Sequence, residues 1–207
     1  MRKYLVEAIG TFFLVLTVGC TVIAPGAGGL APLAIGASLM VMIFAGGHIS
    51  GGHYNPAVTL GVWLRGKFET KDLAPYWVAQ IIGAVVAAVV VKFFKSGAVI
   101  TPGSLQTLPA LLAEFLFTFA LVFVVLNTAT AKGTAGNSFY GLAIGMTVMT
   151  GAFAVGNISG GAFNPGVAIG ITVMGLSAWS SIWIFLVAEL LGAVVAAFTF
   201  KFVHPGD

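Results

Sequence analysis

Long apolar runs alternate with short polar breaks along the whole chain. Six runs are long enough to cross a bilayer, at about 4–24, 31–47, 73–95, 108–128, 138–156 and 179–203. A crossing helix needs about 20 apolar residues, with a range of roughly 17–25. Two apolar pieces are left over, at 56–64 and 165–174. Each is too short to cross at a rise of about 1.5 Å per residue. Each begins at a proline, Pro56 or Pro165, a residue favoured in the first turn of a helix. Each proline follows an asparagine, Asn55 or Asn164, a good N-cap. The pattern predicts an all-α membrane protein with six transmembrane helices and two re-entrant half-helices.

The polar breaks before the half-helices are near copies. GGHISGGHYNPAV covers Gly46–Val58, and VGNISGGAFNPGV covers Val155–Val167. Without a gap, Gly47–Val62 and Gly156–Ile171 share nine of sixteen residues. Val78–Phe93 and Val187–Phe202 share ten of sixteen. Glu7 and Glu114 open similar runs, EAIGTFFLVLTV and EFLFTFALVFVV. The chain therefore reads as one domain, 1–207, made of two repeats of about 1–105 and 106–207. Each repeat holds three spans. Three is odd, so the second repeat enters the membrane from the opposite side. Inverted 3+3 repeats place the functional site at their interface near the midplane.

That inversion brings the two half-helix N-termini together. Each end carries a partial positive charge of roughly half a unit. Gly51–Tyr54 and Gly160–Phe163 lead into these ends and cannot all be helical, so their carbonyls need a wet path. The Asn55 and Asn164 amides offer N–H donors, and the loop carbonyls offer acceptors. Cations are repelled, whereas a small neutral molecule exchanges its hydrogen bonds stepwise. The chemistry points to passive conduction of small uncharged solutes.

Composition agrees. Of the 207 residues, 59% are hydrophobic and 7% are charged, and the mean hydropathy is +1.07. A soluble domain carries about 25% charged residues, so lipid is the main solvent here. Arg2 and Lys3 precede the first run, which is read as a span, not as a cleaved leader. With the N-terminus inside, Arg2, Lys3, Arg65, Lys67, Lys71, Lys132 and Lys201 fall on the cytoplasmic side, and Lys92 and Lys95 fall outside. The bias of basic loops puts both termini in the cytoplasm; the net charge of +3 gives no reason to invoke nucleic acid. Cys20 is single and reads as a packing residue. Three separated histidines make no metal site, and no cofactor is expected. His48 is read as structural, and His204 as having no specific task.

HISGGHYNPAVT and NISGGAFNPGVA resemble the paired NPA boxes of the aquaporin (major intrinsic protein) family. YWVAQIIGA resembles that family's third helix, and EAIGTFF and EFLFTF resemble the starts of its first and fourth. The resemblance covers nearly all the chain. It implies six helices, two half-helices, one pore per subunit and a homotetramer in the plasma membrane. It also implies that Asn55 and Asn164 face the pore, with Pro56, Ala57, Pro165 and Gly166 as their box partners. Glu7 and Glu114 would buttress the re-entrant segments, and His53 would form a cytoplasmic constriction. Glu189 stands where the first repeat has Gln80, and reads as another hydrogen-bonding packer.

The chain departs from the family's pattern at the second box, where NPA followed by arginine is usual. Here Gly166 and Val167 stand in those places. By the family's spacing, the filter positions are Ile35, Ala152, Gly161 and Val167, a set without charge or aromatic ring. Such a filter is wider and more apolar than a strict water filter. A few plant vacuolar members carry valine after the box and are associated with ammonia or peroxide as well as water. Glycerol channels resemble NPARD, and here Ala168 replaces the aspartate. The other readings are a secondary transporter built on broken helices, a glycerol-type facilitator and a scaffold with a closed pore. No nucleophile–base arrangement or phosphate loop suggests an enzyme.

Overall fold

The computed structural model describes all 207 residues. Eight α-helices follow in order: α1 Arg2–Val22, α2 Ala31–Ser50, α3 Pro56–Leu64, α4 Thr70–Phe94, α5 Thr107–Val125, α6 Tyr140–Ser159, α7 Pro165–Met174 and α8 Ile182–Val203. Six of these are long and apolar enough to cross a membrane. The second half retraces the first: two long helices, a half-helix, then a long helix.

The half-helices occupy the ranges their local signals predict. The spans shift by a few residues. α2 and α6 run on to Ser50 and Ser159, three residues past the expected ends, because their stops are glycines in the left-handed region, Gly51 (φ 91°) and Gly160 (φ 97°). Only there is a chain reversal cheap. α4 begins at Thr70, and α5 passes into a π-helical turn over Leu126–Thr130.

Helix packing relies on small residues, since lipid gives apolar side chains no reason to leave it. A methyl built on Gly83 of α4 would strike the Ala8 carbonyl of α1. In the second repeat, one on Gly192 of α8 would lie 2.7 Å from the Phe115 carbonyl of α5. α2 and α6 cross where Gly36 and Gly145 face each other; an added methyl would sit 2.6 Å or 2.5 Å from the opposing carbonyl. The bundle interior is correspondingly fine-grained, with Ala84, Ala87, Ala88, Ala193 and Ala196 fully buried. Leu5, Ile9, Val78, Ile82, Leu112, Leu191 and Phe198 point outward.

One face gathers the basic residues. Lys3 and Tyr4 bind Asp72 at the start of α4 (2.5 and 2.6 Å). Arg65, at the end of α3, bonds Thr130 and Asp207, while Lys132 bonds Asp207 and Gly206. His204 is not idle: its ring nitrogen Nε2 lies 2.7 Å from Asn127 Oδ1 and the ring packs, tilted, against Phe200. Lys95 lies on the opposite face, on the Pro25 carbonyl. There α7 ends, with Leu176 accepting a hydrogen bond from Gly103 N (3.1 Å). The two half-helices therefore enter from opposite faces.

Candidate functional site

The half-helix tips meet in the middle of the bundle. Asn55 and Asn164 each cap their own helix: Oδ1 of Asn55 accepts from Ala57 N (2.8 Å) and Val58 N (3.4 Å), and Oδ1 of Asn164 from Gly166 N (2.9 Å) and Val167 N (3.4 Å). Each Nδ2 then donates across the repeat boundary, Asn55 to the Phe163 carbonyl and Asn164 to the Tyr54 carbonyl, both at 2.9 Å. An amide nitrogen has two hydrogens, so each asparagine keeps one for the cavity it lines. The first-turn N–H groups act through the asparagine side chains, which present the positive helix ends as polarised donors.

The strands leading to these tips hold an unusual backbone. Tyr54 (φ 49°) and Phe163 (φ 48°) are non-glycine residues in the left-handed region, following Gly52 (φ 63°) and Gly161 (φ 66°). Such conformations cost about 1–3 kcal/mol each and need enforcement by their surroundings. Glu7 supplies it in the first repeat. Its Oε1 accepts from Ser50 Oγ (2.7 Å) and His53 N (3.0 Å), and its Oε2 from Tyr54 N (2.7 Å) and Gln80 Nε2 (2.8 Å). Glu114 repeats the pattern with Ser159 Oγ (2.6 Å), Ala162 N (3.1 Å) and Phe163 N (2.7 Å). Both carboxyls are fully buried. Glu189 accepts from Asn164 N at 3.0 Å. The aromatic rings key into glycine notches: Tyr54 fills the space a methyl would need at Gly10 and Gly46, and Phe163 that at Gly151.

With the amides claimed by carboxylates, the carbonyls are left over. Tyr54 and Phe163 lend theirs to the opposite asparagine, so these two are not free, contrary to the expectation for the whole strand. The carbonyls of Gly51, Gly52, His53, Gly160, Gly161 and Ala162 accept nothing from the protein. All six residues line open space.

That space has an hourglass shape. A neck of about 50 Å³ is bounded by 18 residues, 13 of them hydrophobic. At roughly 10–15 Å³ per water position, it holds a short single file. The structure brings Asn55, Asn164, Ile35, Ala152, Gly161, Val167 and His53 to this one neck. Pro56, Ala57, Pro165 and Gly166 are buried beside it and do not line it. On the basic face it adjoins a vestibule of about 320 Å³, lined by His48, Thr128, Asn137 and others. On the opposite face a vestibule of about 210 Å³ is lined by Asn157, Ser104 and Ser177. His53 borders both the neck and the basic-face vestibule. Its Nδ1 lies 3.1 Å from Thr59 Oγ1, and its ring packs on Phe68 and Tyr76.

Sequence reasoning missed part of this site. Leu14, Val18 and Val22 of α1, Leu39 of α2, and Ile144 and Val148 of α6 also line the neck. Their signal is helical spacing, but on helices apolar all round it does not single out a pore face. Tyr76 and Trp77, which in the sequence stand out only as part of YWVAQIIGA, grip the first re-entrant segment by donating to Ser50 O (2.7 Å) and Pro56 O (3.1 Å).

A model of the family described as Major intrinsic protein matches residues 1–200. "Glycerol uptake facilitator protein-like 6" of Lactiplantibacillus plantarum is 40% identical over the full length of both chains. Aquaporin NIP1-2 of Arabidopsis thaliana is 34% identical, matching all of this chain and 76% of its own. Aquaporin Z of Rhodopseudomonas palustris is 33% identical over 99% of this chain and 94% of its own. The crystal structure of the aquaglyceroporin from Plasmodium falciparum superposes with a TM-score of 0.78 at 23% identity, covering 97% of this chain and 95% of that one.

Proposed function

The chain belongs to the major intrinsic protein family, and from that premise we propose that its pore passes water together with a second small neutral solute such as ammonia or hydrogen peroxide. The protein is a passive membrane channel for water and small solutes. One observation carries the finer reading: Ile35, Ala152, Gly161 and Val167 share a narrow neck to which none of them brings a charge or an aromatic ring. An apolar wall returns little of the hydrogen bonding that a solute gives up on leaving water. Solutes that give up less are favoured relative to a filter lined with a guanidinium. The polar services are concentrated at Asn55, Asn164 and the bare loop carbonyls. A hydrated cation would meet the positive ends of α3 and α7 there with no carboxylate among the lining residues.

The test is solute-by-solute flux in proteoliposomes: osmotic shrinkage for water, an internal pH dye for ammonia and an internal redox dye for peroxide. Flux of water alone, with ammonia and peroxide at the level of protein-free vesicles, overturns the reading. Glycerol belongs in the same panel. The 40% identical relative is named a glycerol uptake facilitator-like protein, and glycerol flux matching that of water would favour the facilitator reading.

The surroundings follow the same line. The clustering of Arg2, Lys3, Arg65, Lys67, Lys71, Lys132 and Lys201 supports both termini in the cytoplasm, with the plasma membrane as the site. The family resemblance supports a homotetramer with one pore per subunit and with Glu7 and Glu114 as loop buttresses. Protease accessibility of the termini in sealed vesicles and native mass spectrometry test these points.

A further inference from the structure

The two repeats hold their re-entrant segments by different chemistry. In the first, Glu7 has an amide neighbour: Gln80 Nε2 donates to Glu7 Oε2 at 2.8 Å. In the second, the corresponding neighbour is another acid, Glu189. Glu114 and Glu189 are both fully buried, and they hold consecutive backbone amides: Glu114 Oε2 accepts from Phe163 N (2.7 Å) and Glu189 Oε1 from Asn164 N (3.0 Å), which makes the two carboxyls neighbours. Neither has a basic partner; the ion pairs of the protein involve Asp72, Asp207 and Glu69. Glu114 turns both oxygens to Ser159, Ala162 and Phe163. Glu189 Oε1 takes Asn164 N (3.0 Å), while its Oε2 is buried with no donor facing it.

Two ionised carboxylates side by side in a bilayer interior, without a cation, are strongly disfavoured. A hydrogen bond between two carboxyl groups requires one of them to carry the proton, because an ionised carboxylate only accepts. The atom free to carry it is Glu189 Oε2, since both Glu114 oxygens already accept N–H or O–H donors.

We propose that Glu114 and Glu189 share a single proton, carried on Glu189 Oε2, and that this proton does for the second repeat what the Gln80 amide does for the first. Glu189 is then a positioning residue. One oxygen fixes the backbone of Asn164 at the neck. The other, as a donor, steadies the carboxylate that holds Phe163 in its left-handed conformation. The inference does not depend on which solute the pore carries.

Infrared spectroscopy of the reconstituted protein at neutral pH tests it, paired with water flux per reconstituted channel. The wild type should show the C=O stretch of a protonated carboxylic acid, shifted in deuterium oxide. E189Q should lose that band and, with its amide donating to Glu114 as Gln80 does to Glu7, keep water flux within about twofold. E189L, which neither donates nor accepts, should lose flux by about tenfold. A wild type without the band, an E189Q that retains it in full, or an E189Q as impaired as E189L overturns the proposal. If E189L does not fold, the band and the E189Q flux still decide.

Discussion

Asn55 and Asn164 never bond each other, yet each is tied to the other's strand: Asn55 donates to the carbonyl just before Asn164, and Asn164 to the carbonyl just before Asn55. The link is reciprocal and uses one amide hydrogen from each side. Aspartate at position 164 would keep the cap acceptor and lose the donor. The Tyr54 carbonyl would be stranded, at a cost of about 1–3 kcal/mol, and a carboxylate would sit where two positive helix ends converge. Asn164→Asp is expected to lower water flux and to admit cations. Dissipation of a potassium or proton gradient in proteoliposomes measures this; a leak equal to the wild type shows that the asparagine donors do not set charge exclusion.

Val167 is the natural place to change selectivity. It is nearly buried, at 5% exposure, and opens onto the neck beside Gly161, where a side chain can extend. Val167→Arg would add donors and a charge to an apolar wall. Peroxide and ammonia flux should fall relative to water. An unchanged ratio across the three solutes would show that residue 167 does not face the permeating file.

His53 divides the neck from the basic-face vestibule and is braced by Thr59, Phe68 and Tyr76. Truncation to alanine removes the ring and leaves the Glu7 bond to its backbone N–H in place. His53→Ala is therefore expected to fold and to widen that end of the neck, raising the flux of a bulkier neutral such as urea relative to water. A ratio equal to the wild type in the same shrinkage assay would mean that the limiting girth lies elsewhere, at Val167 and Ile35.

The crossing of α2 and α6 has no slack. A methyl on Gly145 would meet the Gly36 carbonyl at 2.5 Å, and backbone cannot turn aside as a side chain can. Gly145→Ala should cost about 1–3 kcal/mol, the range for overpacking. It should appear as a lower thermal unfolding midpoint in detergent. Gly29→Ala, with nothing within 4 Å of the added methyl, serves as the control. Equal midpoints for the two variants would refute the close-approach argument.

The elements legible in the sequence are those with local chemistry. Asn55-Pro56 and Asn164-Pro165 announce a cap and a first turn, so α3 and α7 begin where the chain says they do. The ends of α2 and α6 are less legible. Gly46, Gly47 and Gly156 look like stops, but the reversals occur at Gly51 and Gly160, where Glu7 and Glu114 hold the following amides. The lining of the neck is least legible. Val22, Leu39 and Val148 are as apolar as Ile9 and Ile82, which lie exposed on the outside of the bundle, so hydropathy alone does not separate pore from periphery. The tie between Asn55 and Phe163 spans 108 positions and exists only once the bundle has closed.

The aromatic-in-notch arrangement has a practical meaning for anyone rebuilding this molecule. Tyr54 occupies room vacated by Gly10 and Gly46, on two separate helices, and Phe163 does the same at Gly151. A re-entrant loop transplanted from a cousin cannot travel by itself. The donor's matching hollows must be grafted with it, or the borrowed ring will have nowhere to go and its asparagine will miss the axis.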